Sequence, residues 1–116
     1  MISKILFIFT CLSIVTGSHA EVSVMPLKVG EHSYYVLGEA GLASSANEGY
    51  MSNAGFVVTK AGVVVFDSLG TAVLGHKLVN AIKKVTSQPI KRVIVSHYHA
   101  DHIYGLQVFQ DLGAEI

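Results

Sequence analysis

A hydrophobic strand pattern runs directly into a cluster of metal-capable side chains near the end of this chain of 116 residues. Residues 92–95 read Arg-Val-Ile-Val, and residues 96–102 read Ser-His-Tyr-His-Ala-Asp-His. The three histidines and the aspartate offer imidazole nitrogen and carboxylate oxygen, the donors that bind a borderline cation such as zinc. A strand that ends in such a cluster predicts a metal site at a sheet edge. The alternative is a histidine-rich capping turn that binds metal only adventitiously.

The spacing within the cluster predicts two pairs of ligands. Residues two apart in an extended segment face the same way, so His97 and His99 can both point at one ion. Asp101 and His102 follow a bend at Ala100, where a helix is predicted to begin, and can point at a second ion. Two ions about 3.5–4 Å apart form a hydrolytic device that lowers the pKa of a shared water. Asp101 would also orient the nucleophile, which makes it the predicted catalytic residue.

Asp67 is a further candidate, because it ends the apolar strand pattern of residues 62–66. An acid at such a place often braces a neighbouring loop that carries metal ligands. The alternative is a carboxylate that caps the next helix. Two other histidines, His32 and His76, are predicted to be surface or hydrogen-bonded residues. The loop of residues 38–53 is predicted to be mobile, and is either a substrate flap or a plain connection.

The order of strand and helix patterns after residue 20 predicts an α/β fold, in which helices cover a sheet. Strands are predicted over residues 21–27, 32–37, 54–59, 62–66 and 90–96, with a strand start at 114–116. One helix follows Thr71, its predicted cap, and carries an apolar stripe of Leu74, Leu78, Ile82 and Val85. Another helix follows the cluster and carries Ile103, Leu106 and Phe109. Continuous apolar content in the third and fourth strands favours burial on both faces. A domain that ended on a strand start would leave an unpaired edge, so we expect the front part of a longer domain.

Residues 1–20 have the layout of a secretory signal peptide. A lysine precedes an apolar run over residues 5–15, and small residues precede a predicted cleavage site before Glu21. The run is shorter than the roughly 20 residues of a spanning helix, which argues against a membrane anchor. We therefore expect a secreted or periplasmic protein with no stable membrane insertion after cleavage, and a mature domain over residues 21–116.

Charge and cysteine content exclude several classes of partner. Lys plus Arg and Asp plus Glu both number 8, and loss of Lys4 with the signal leaves seven basic against eight acidic residues. This balance does not indicate binding to nucleic acid or to an acidic membrane surface; a small-molecule substrate is what the family resemblance described below implies. The single cysteine, Cys11, lies in the signal, so the mature chain has no disulfide and depends on burial and metal. No feature indicates an oligomeric state.

Residues 96–102 resemble the His-x-His-x-Asp-His signature of the metallo-β-lactamase superfamily. Phe66-Asp67-Ser68, after a run of valines, is similar to that family's strand-ending aspartate, and the single helix between the two motifs also fits. The resemblance covers nearly all of residues 21–116 but only the front half of the family's domain. It implies the N-terminal half of a four-layer αβ/βα sandwich, with the metal site between the edges of two sheets.

The resemblance also implies roles for the matching residues. His97 and His99 would bind a first zinc ion, and Asp101 and His102 a second, with iron as the alternative metal. Asp67 would brace the metal loop from behind these ligands. The family's third histidine, bridging aspartate and last histidine have no match in this sequence, so we expect the chain alone to be inactive.

The activity that the resemblance implies is an exported, zinc-dependent hydrolase, in which metal-bound hydroxide attacks an amide, ester, lactone or thioester carbonyl. Phosphodiester or RNA cleavage is less favoured, because the mature chain has no basic patch. Residues 52–59, with the exported start, look most similar to periplasmic members associated with sulfur-oxidation and quinoprotein systems. Two alternatives are an iron-dependent sulfur dioxygenase on the same ligands and a truncated, non-catalytic metal-binding remnant.

Overall fold

A computed structural model describes residues 21–116, and the predicted signal peptide lies outside the described residues. The strands are β1 (Leu27–Lys28), β2 (Ser33–Val36), β3 (Ala54–Thr59), β4 (Gly62–Phe66) and β5 (Ile90–Ile94); the helices are α1 (Ala72–Val85), α2 (Ala100–Ile103) and α3 (Leu106–Asp111). The five strands form one sheet with helices packed on it, which confirms the α/β prediction. In this part of the chain, no helix has the length and apolar content needed to cross a membrane.

The sheet combines an antiparallel meander with one parallel pair. Strands β1 to β4 pair antiparallel in chain order, and β5 pairs parallel with β4. A parallel connection needs a crossover, and α1 supplies it between β4 and β5. Because these two strands run in the same direction, their last residues, Phe66 and Ile94, are register partners. Asp67 and the 96–102 cluster therefore leave the sheet at the same edge.

The N-cap of helix α1 is Thr71, the residue that the sequence predicts for this role. The Thr71 hydroxyl accepts a hydrogen bond from the Leu74 backbone N–H at 3.1 Å, which satisfies one of the free N–H groups of the first turn. Leu74, Leu78 and Ile82 are buried, as their spacing along one helix face predicts. They belong to one core cluster with residues of the sheet, such as Phe56. This packing fixes the connection between β4 and β5.

The prediction that β3 and β4 are buried on both faces is wrong for the described residues. Val63 and Val65 are fully buried, whereas Val64 is only half-buried and Phe66 is 42% exposed. Side chains alternate between the two faces of a strand. Helix α1 covers only one of those faces, so the other face stays partly open among residues 21–116.

Three predicted strands are shorter in the structure, and β2 loses one residue at each end. Strand β1 contains only Leu27 and Lys28, because Pro26 has no N–H to give to a ladder. Strand β5 ends at Ile94, and the N–H of Ser96 donates to Asp67 rather than to a neighbouring strand. The predicted strand start near the end of the chain is confirmed, since Glu115 forms a parallel bridge to Arg92.

The helix predicted after the cluster is two short helices, α2 and α3, with a break at Tyr104 and Gly105. The Gly105 N–H donates to the Leu69 carbonyl at 3.0 Å. A Cβ atom built on Gly105 would lie 2.0 Å from the Ser68 carbonyl oxygen, so only glycine allows this approach. The break thus packs the end of α2 against the turn that follows β4.

Candidate metal centre

All four predicted ligands lie together where β5 leads into α2. The ring centroids of His97 and His99 are 4.7 Å apart, and those of His97 and His102 are 4.1 Å apart. The closest donor atoms are His97 Nε2 and His99 Nδ1, at 3.1 Å, and Asp101 Oδ2 and His102 Nε2, at 3.3 Å. These are the same two pairs that the spacing of the cluster predicts.

The Asp67 carboxylate lies behind the cluster and is 7% exposed. Its Oδ1 accepts from the Ser96 N–H at 2.7 Å, and its Oδ2 accepts from Ser96 Oγ at 2.7 Å and from His102 Nδ1 at 2.8 Å. Asp67 adopts a φ of 63°, a left-handed conformation that aspartate tolerates better than most residues. The capping residue of α1 is Thr71 and not Asp67, so the contacts of Asp67 are with the cluster.

The environment of Asp67 favours its charged form. Burial alone would raise the pKa of this carboxyl, but the hydrogen bonds from Ser96 and His102 outweigh burial and bring the pKa below its ordinary value of 3.8. Asp67 is therefore ionised at neutral pH and can only accept hydrogen bonds.

An acceptor-only Asp67 determines where the proton of His102 lies. The His102 Nδ1 must donate to Asp67 Oδ2, so a neutral His102 keeps its lone pair on Nε2. That nitrogen faces Asp101 Oδ2 at 3.3 Å, which is also an acceptor. Two lone pairs that face each other repel unless a proton or a cation lies between them. This pair is therefore completed either by a proton on Nε2 or by a bound metal cation.

The donor set fits zinc in type and in spacing. Two ligand atoms that bind the same zinc ion at the usual Zn–N distance, with a tetrahedral angle at the metal, lie about 3.3 Å from each other. The two donor pairs, at 3.3 and 3.1 Å, are close to this value. Across residues 21–116, however, no group of three or more His, Cys, Asp or Glu side chains is arranged to hold one ion. Among the described residues the donors come in pairs, and the assignment of each pair to one ion stays a prediction.

Two buried serines bind the backbone of the second pair. Ser52 Oγ donates to the Asp101 carbonyl oxygen, and Ser68 Oγ donates to the His102 carbonyl oxygen at 3.0 Å. The Ser68 N–H donates to the same His102 oxygen at 2.8 Å. Helix α2 has only four residues, so these carbonyls would otherwise lack helical partners. The sequence gives no pattern for either role, because Ser52 lies in a loop rich in Gly, Ala, Ser and Asn and Ser68 simply follows Asp67.

The loop of residues 38–53 is joined to helix α1 by an ion pair. Lys77 Nζ donates to Glu48 Oε2 at 2.7 Å and to the Val22 carbonyl at 2.8 Å. The hydrogen bond from Lys77 lowers the pKa of Glu48, and the same bond raises the pKa of Lys77. The Lys77–Glu48 pair attaches the loop to α1, and Ser52 attaches it to the backbone of α2 through the Asp101 carbonyl. A role as a substrate flap stays a prediction.

The histidines outside the cluster, His32 and His76, are both exposed. Neither has a hydrogen bond or ring contact to His97, His99 or His102 among the described residues. This agrees with the prediction that they are surface residues.

Comparison with known proteins identifies relatives that share this site region. The family model described as the metallo-beta-lactamase superfamily matches residues 47–114. A curated relative, metallo-beta-lactamase IND-1 from Chryseobacterium indologenes, is 32% identical over 88 residues. The match covers 76% of this chain and 35% of that relative, so the chain spans about a third of its length.

Solved structures agree in fold. The stereoselective inverting sec-alkylsulfatase Pisa1 from Pseudomonas sp. aligns with a TM-score of 0.59 and 24% identity, and a double mutant of the sec-alkyl sulfatase PisA1 aligns with a TM-score of 0.58 and 24% identity. Each alignment covers 74% of this chain and 12% of the sulfatase chain. At this identity the likeness shows the fold alone, and it extends over a small part of each sulfatase.

Proposed function

The chain belongs to the metallo-beta-lactamase superfamily, and we propose that its full-length form is an exported, zinc-dependent hydrolase of a small-molecule substrate. His97 and His99 would bind one zinc ion, and Asp101 and His102 the other. The chain spans only part of its curated relative, so the remaining ligands would come from the rest of the full-length protein. Residues 21–116 alone would bind metal weakly and would not turn over substrate, since incomplete coordination lowers affinity.

The observation that carries this proposal is the pair formed by Asp101 and His102. Asp67 accepts a hydrogen bond from the Nδ1–H of His102, which leaves Nε2 of a neutral His102 with a lone pair directed at the Asp101 carboxylate, 3.3 Å away. A proton on Nε2 can join the two groups, and in its absence they are arranged to chelate a metal cation. The His97–His99 pair lies against it, with rings 4.1 Å apart at His97 and His102, which supports a second ion nearby.

The residues of this chain would have separate tasks in hydrolysis. Zinc ions bound here would lower the pKa of a water and polarise the bond under attack. Asp101 is partly exposed, so its carboxylate can accept a hydrogen bond from the attacking water and orient it. Asp67 keeps His102 in the tautomer that has a free Nε2.

The proposed substrates are small molecules with an electrophilic amide, ester, lactone or thioester carbonyl. A β-lactam is one candidate, supported by the relative that is named a metallo-beta-lactamase and by the predicted export. The near-neutral charge of the chain gives no support to a nucleic acid substrate. Secretion to the periplasm or beyond rests on the signal-like residues 1–20.

Replacing Asp101 by Ala in the full-length protein tests the proposal. We expect the rate of hydrolysis to fall by about 100-fold or more, with a circular dichroism spectrum like that of wild type, because Asp101 binds metal and orients the water. His76→Ala is the matched control, since His76 is an exposed residue of α1, and it should leave rate and metal content unchanged. A near-normal rate in Asp101→Ala would overturn the assigned role.

Elemental analysis of the same full-length protein separates the alternatives. We expect about two zinc ions per chain and no oxygen uptake with thiol or persulfide substrates. Iron with oxygen consumption would support a dioxygenase instead. A protein that retains metal but hydrolyses no substrate and consumes no oxygen would support the non-catalytic metal-binding remnant.

A further inference from the structure

We infer that Ser96 is a positioning residue that sets the tautomer of His97 and links both ligand pairs to the single carboxylate of Asp67. The inference rests on the proposed function, because it concerns the same ligands. Ser96 lies one residue before the cluster and contacts Asp67 through both its backbone N–H and its hydroxyl. Nothing in the sequence analysis gave this serine a role.

The direction of each hydrogen bond follows from the number of protons available. Ser96 Oγ lies 2.7 Å from Asp67 Oδ2 and 2.8 Å from His97 Nδ1, and it carries one hydrogen. The Asp67 carboxylate can only accept, so the serine hydroxyl donates to it. The Ser96 oxygen is then an acceptor for His97, and the proton of a neutral His97 lies on Nδ1.

This chain of hydrogen bonds prepares His97 for metal in the same way as His102. With its proton on Nδ1, His97 has a lone pair on Nε2, the atom that lies 3.1 Å from His99 Nδ1. Asp67 therefore sets the tautomer of one imidazole in each pair. It acts on His102 directly and on His97 through Ser96. Without the serine hydroxyl, Nδ1 of His97 loses its acceptor, and the proton can move to Nε2, where it blocks coordination.

Imidazole nitrogen NMR on the metal-free full chain tests the tautomer. Long-range ¹H–¹⁵N spectra distinguish Nδ1–H from Nε2–H in a neutral imidazole. We expect His97 and His102 of the wild type as Nδ1–H, and His97 alone to lose that form in Ser96→Ala. Ser96→Thr, which keeps a hydroxyl, should restore it. An unchanged His97 tautomer in Ser96→Ala overturns the inference.

A cobalt titration of the same variants measures the consequence for metal. We expect Ser96→Ala to weaken Co²⁺ binding by about 10- to 100-fold, the usual cost of removing a group that orients a metal ligand, and Ser96→Thr to recover most of the affinity. Thr59→Val is the matched control, because it removes a hydroxyl that donates to the Gly62 carbonyl in the β3–β4 turn, away from the cluster. Its Co²⁺ affinity should equal that of the wild type.

The two readouts separate this inference from the proposed function. A loss of thermal stability in Ser96→Ala with unchanged Co²⁺ affinity would show a merely structural serine and overturn the inference. A wild-type full-length protein that binds no Co²⁺ overturns the proposed function, and the NMR comparison still decides whether Ser96 sets the tautomer of His97.

Discussion

The two ligand pairs of this chain differ in what supports them. His97 and His99 lie in an exposed stretch between β5 and α2, and their side chains contact Ser96, each other and the neighbouring rings. Asp101 and His102 lie in the first turn of α2 and are half-buried. Their carbonyl oxygens accept from Ser52 and Ser68, and the ring of His102 donates to Asp67.

The protein therefore holds the Asp101–His102 pair in place more firmly than the His97–His99 pair. The second pair is fixed by hydrogen bonds from two segments, the loop that carries Ser52 and the turn that carries Asp67 and Ser68, so its geometry should persist without metal. The first pair depends on one serine and on contacts between exposed imidazoles. We therefore expect a bound ion to order the first pair more than the second. Ser52 and Ser68 support only the second pair, whereas Asp67 supports both, the first through Ser96.

The largest effect is expected at Asp67, on which the second pair depends most. Asparagine, like aspartate, tolerates the positive φ of position 67. The carboxylate accepts three hydrogen bonds, however, and in Asp67→Asn one of its oxygens becomes an NH₂ group that can only donate. We expect the free energy of unfolding to fall by about 3 kcal/mol, measured in urea without metal, because buried donors lose a charged partner.

Asp111→Asn is the control for this change. Asp111 is exposed and accepts one hydrogen bond, from Gln107 on the same helix, so its replacement should change the free energy of unfolding by less than about 0.5 kcal/mol. Equal effects of the two substitutions would mean that the Asp67 contacts add no stability, and that the second pair is no better supported than the first.

Alanine at His102 and at His99 compares the two pairs directly. His102→Ala leaves the buried Asp67 without one donor, so we expect a loss of about 1–2 kcal/mol in the free energy of unfolding. His99→Ala removes an exposed ring, so the expected loss is below about 0.5 kcal/mol. Urea unfolding with a chelator present measures both, and a greater loss for His99→Ala would reverse the comparison.

The smallest effect is expected at Glu48, which supports the loop that carries Ser52. The pKa of Glu48 in the folded chain lies below its ordinary value of 4.5, so its contribution to stability is complete above pH 4.5 and disappears as pH falls through the folded pKa. Glu48→Gln should therefore be less stable than wild type at pH 7, and the difference should vanish in acid.

Urea unfolding between pH 7 and pH 3 measures this pH dependence. Glu39→Gln is the control, because Glu39 is an exposed residue of the same loop. A difference between Glu48→Gln and wild type that stays constant over the whole range would show that the Lys77–Glu48 contact does not stabilise the folded chain.

Local patterns in the sequence were enough to predict the elements that surround the site. The bounds of β3 and β4 agree with the predicted residues, because valine-rich runs meet a short turn around Ala61. The Thr71 cap and the buried face of α1 agree for the same reason, since both depend on residues three or four apart. The positions of His97 to His102 after a parallel strand also follow from the strand pattern.

Contacts between distant residues could not be predicted in this way. Ser52 and Asp101 are 49 positions apart, and Ser68 and His102 are 34 apart. A hydroxyl can donate to any carbonyl that the fold brings near, so its partner has no signature in the sequence. The metal-binding roles of His97, His99, Asp101 and His102, and the bracing role of Asp67, stay predictions until metal is measured.

The close approach of Gly105 to the Ser68 carbonyl limits which codon changes a functional gene can accept at this position. Every missense change that a single base can make in a glycine codon adds a Cβ atom, and here that atom would lie 2.0 Å from the Ser68 oxygen. Gene copies under selection for a folded product should therefore keep this codon as glycine. Copies that have decayed into pseudogenes should lose it as fast as neutral sites, which turns one codon into a marker of surviving function.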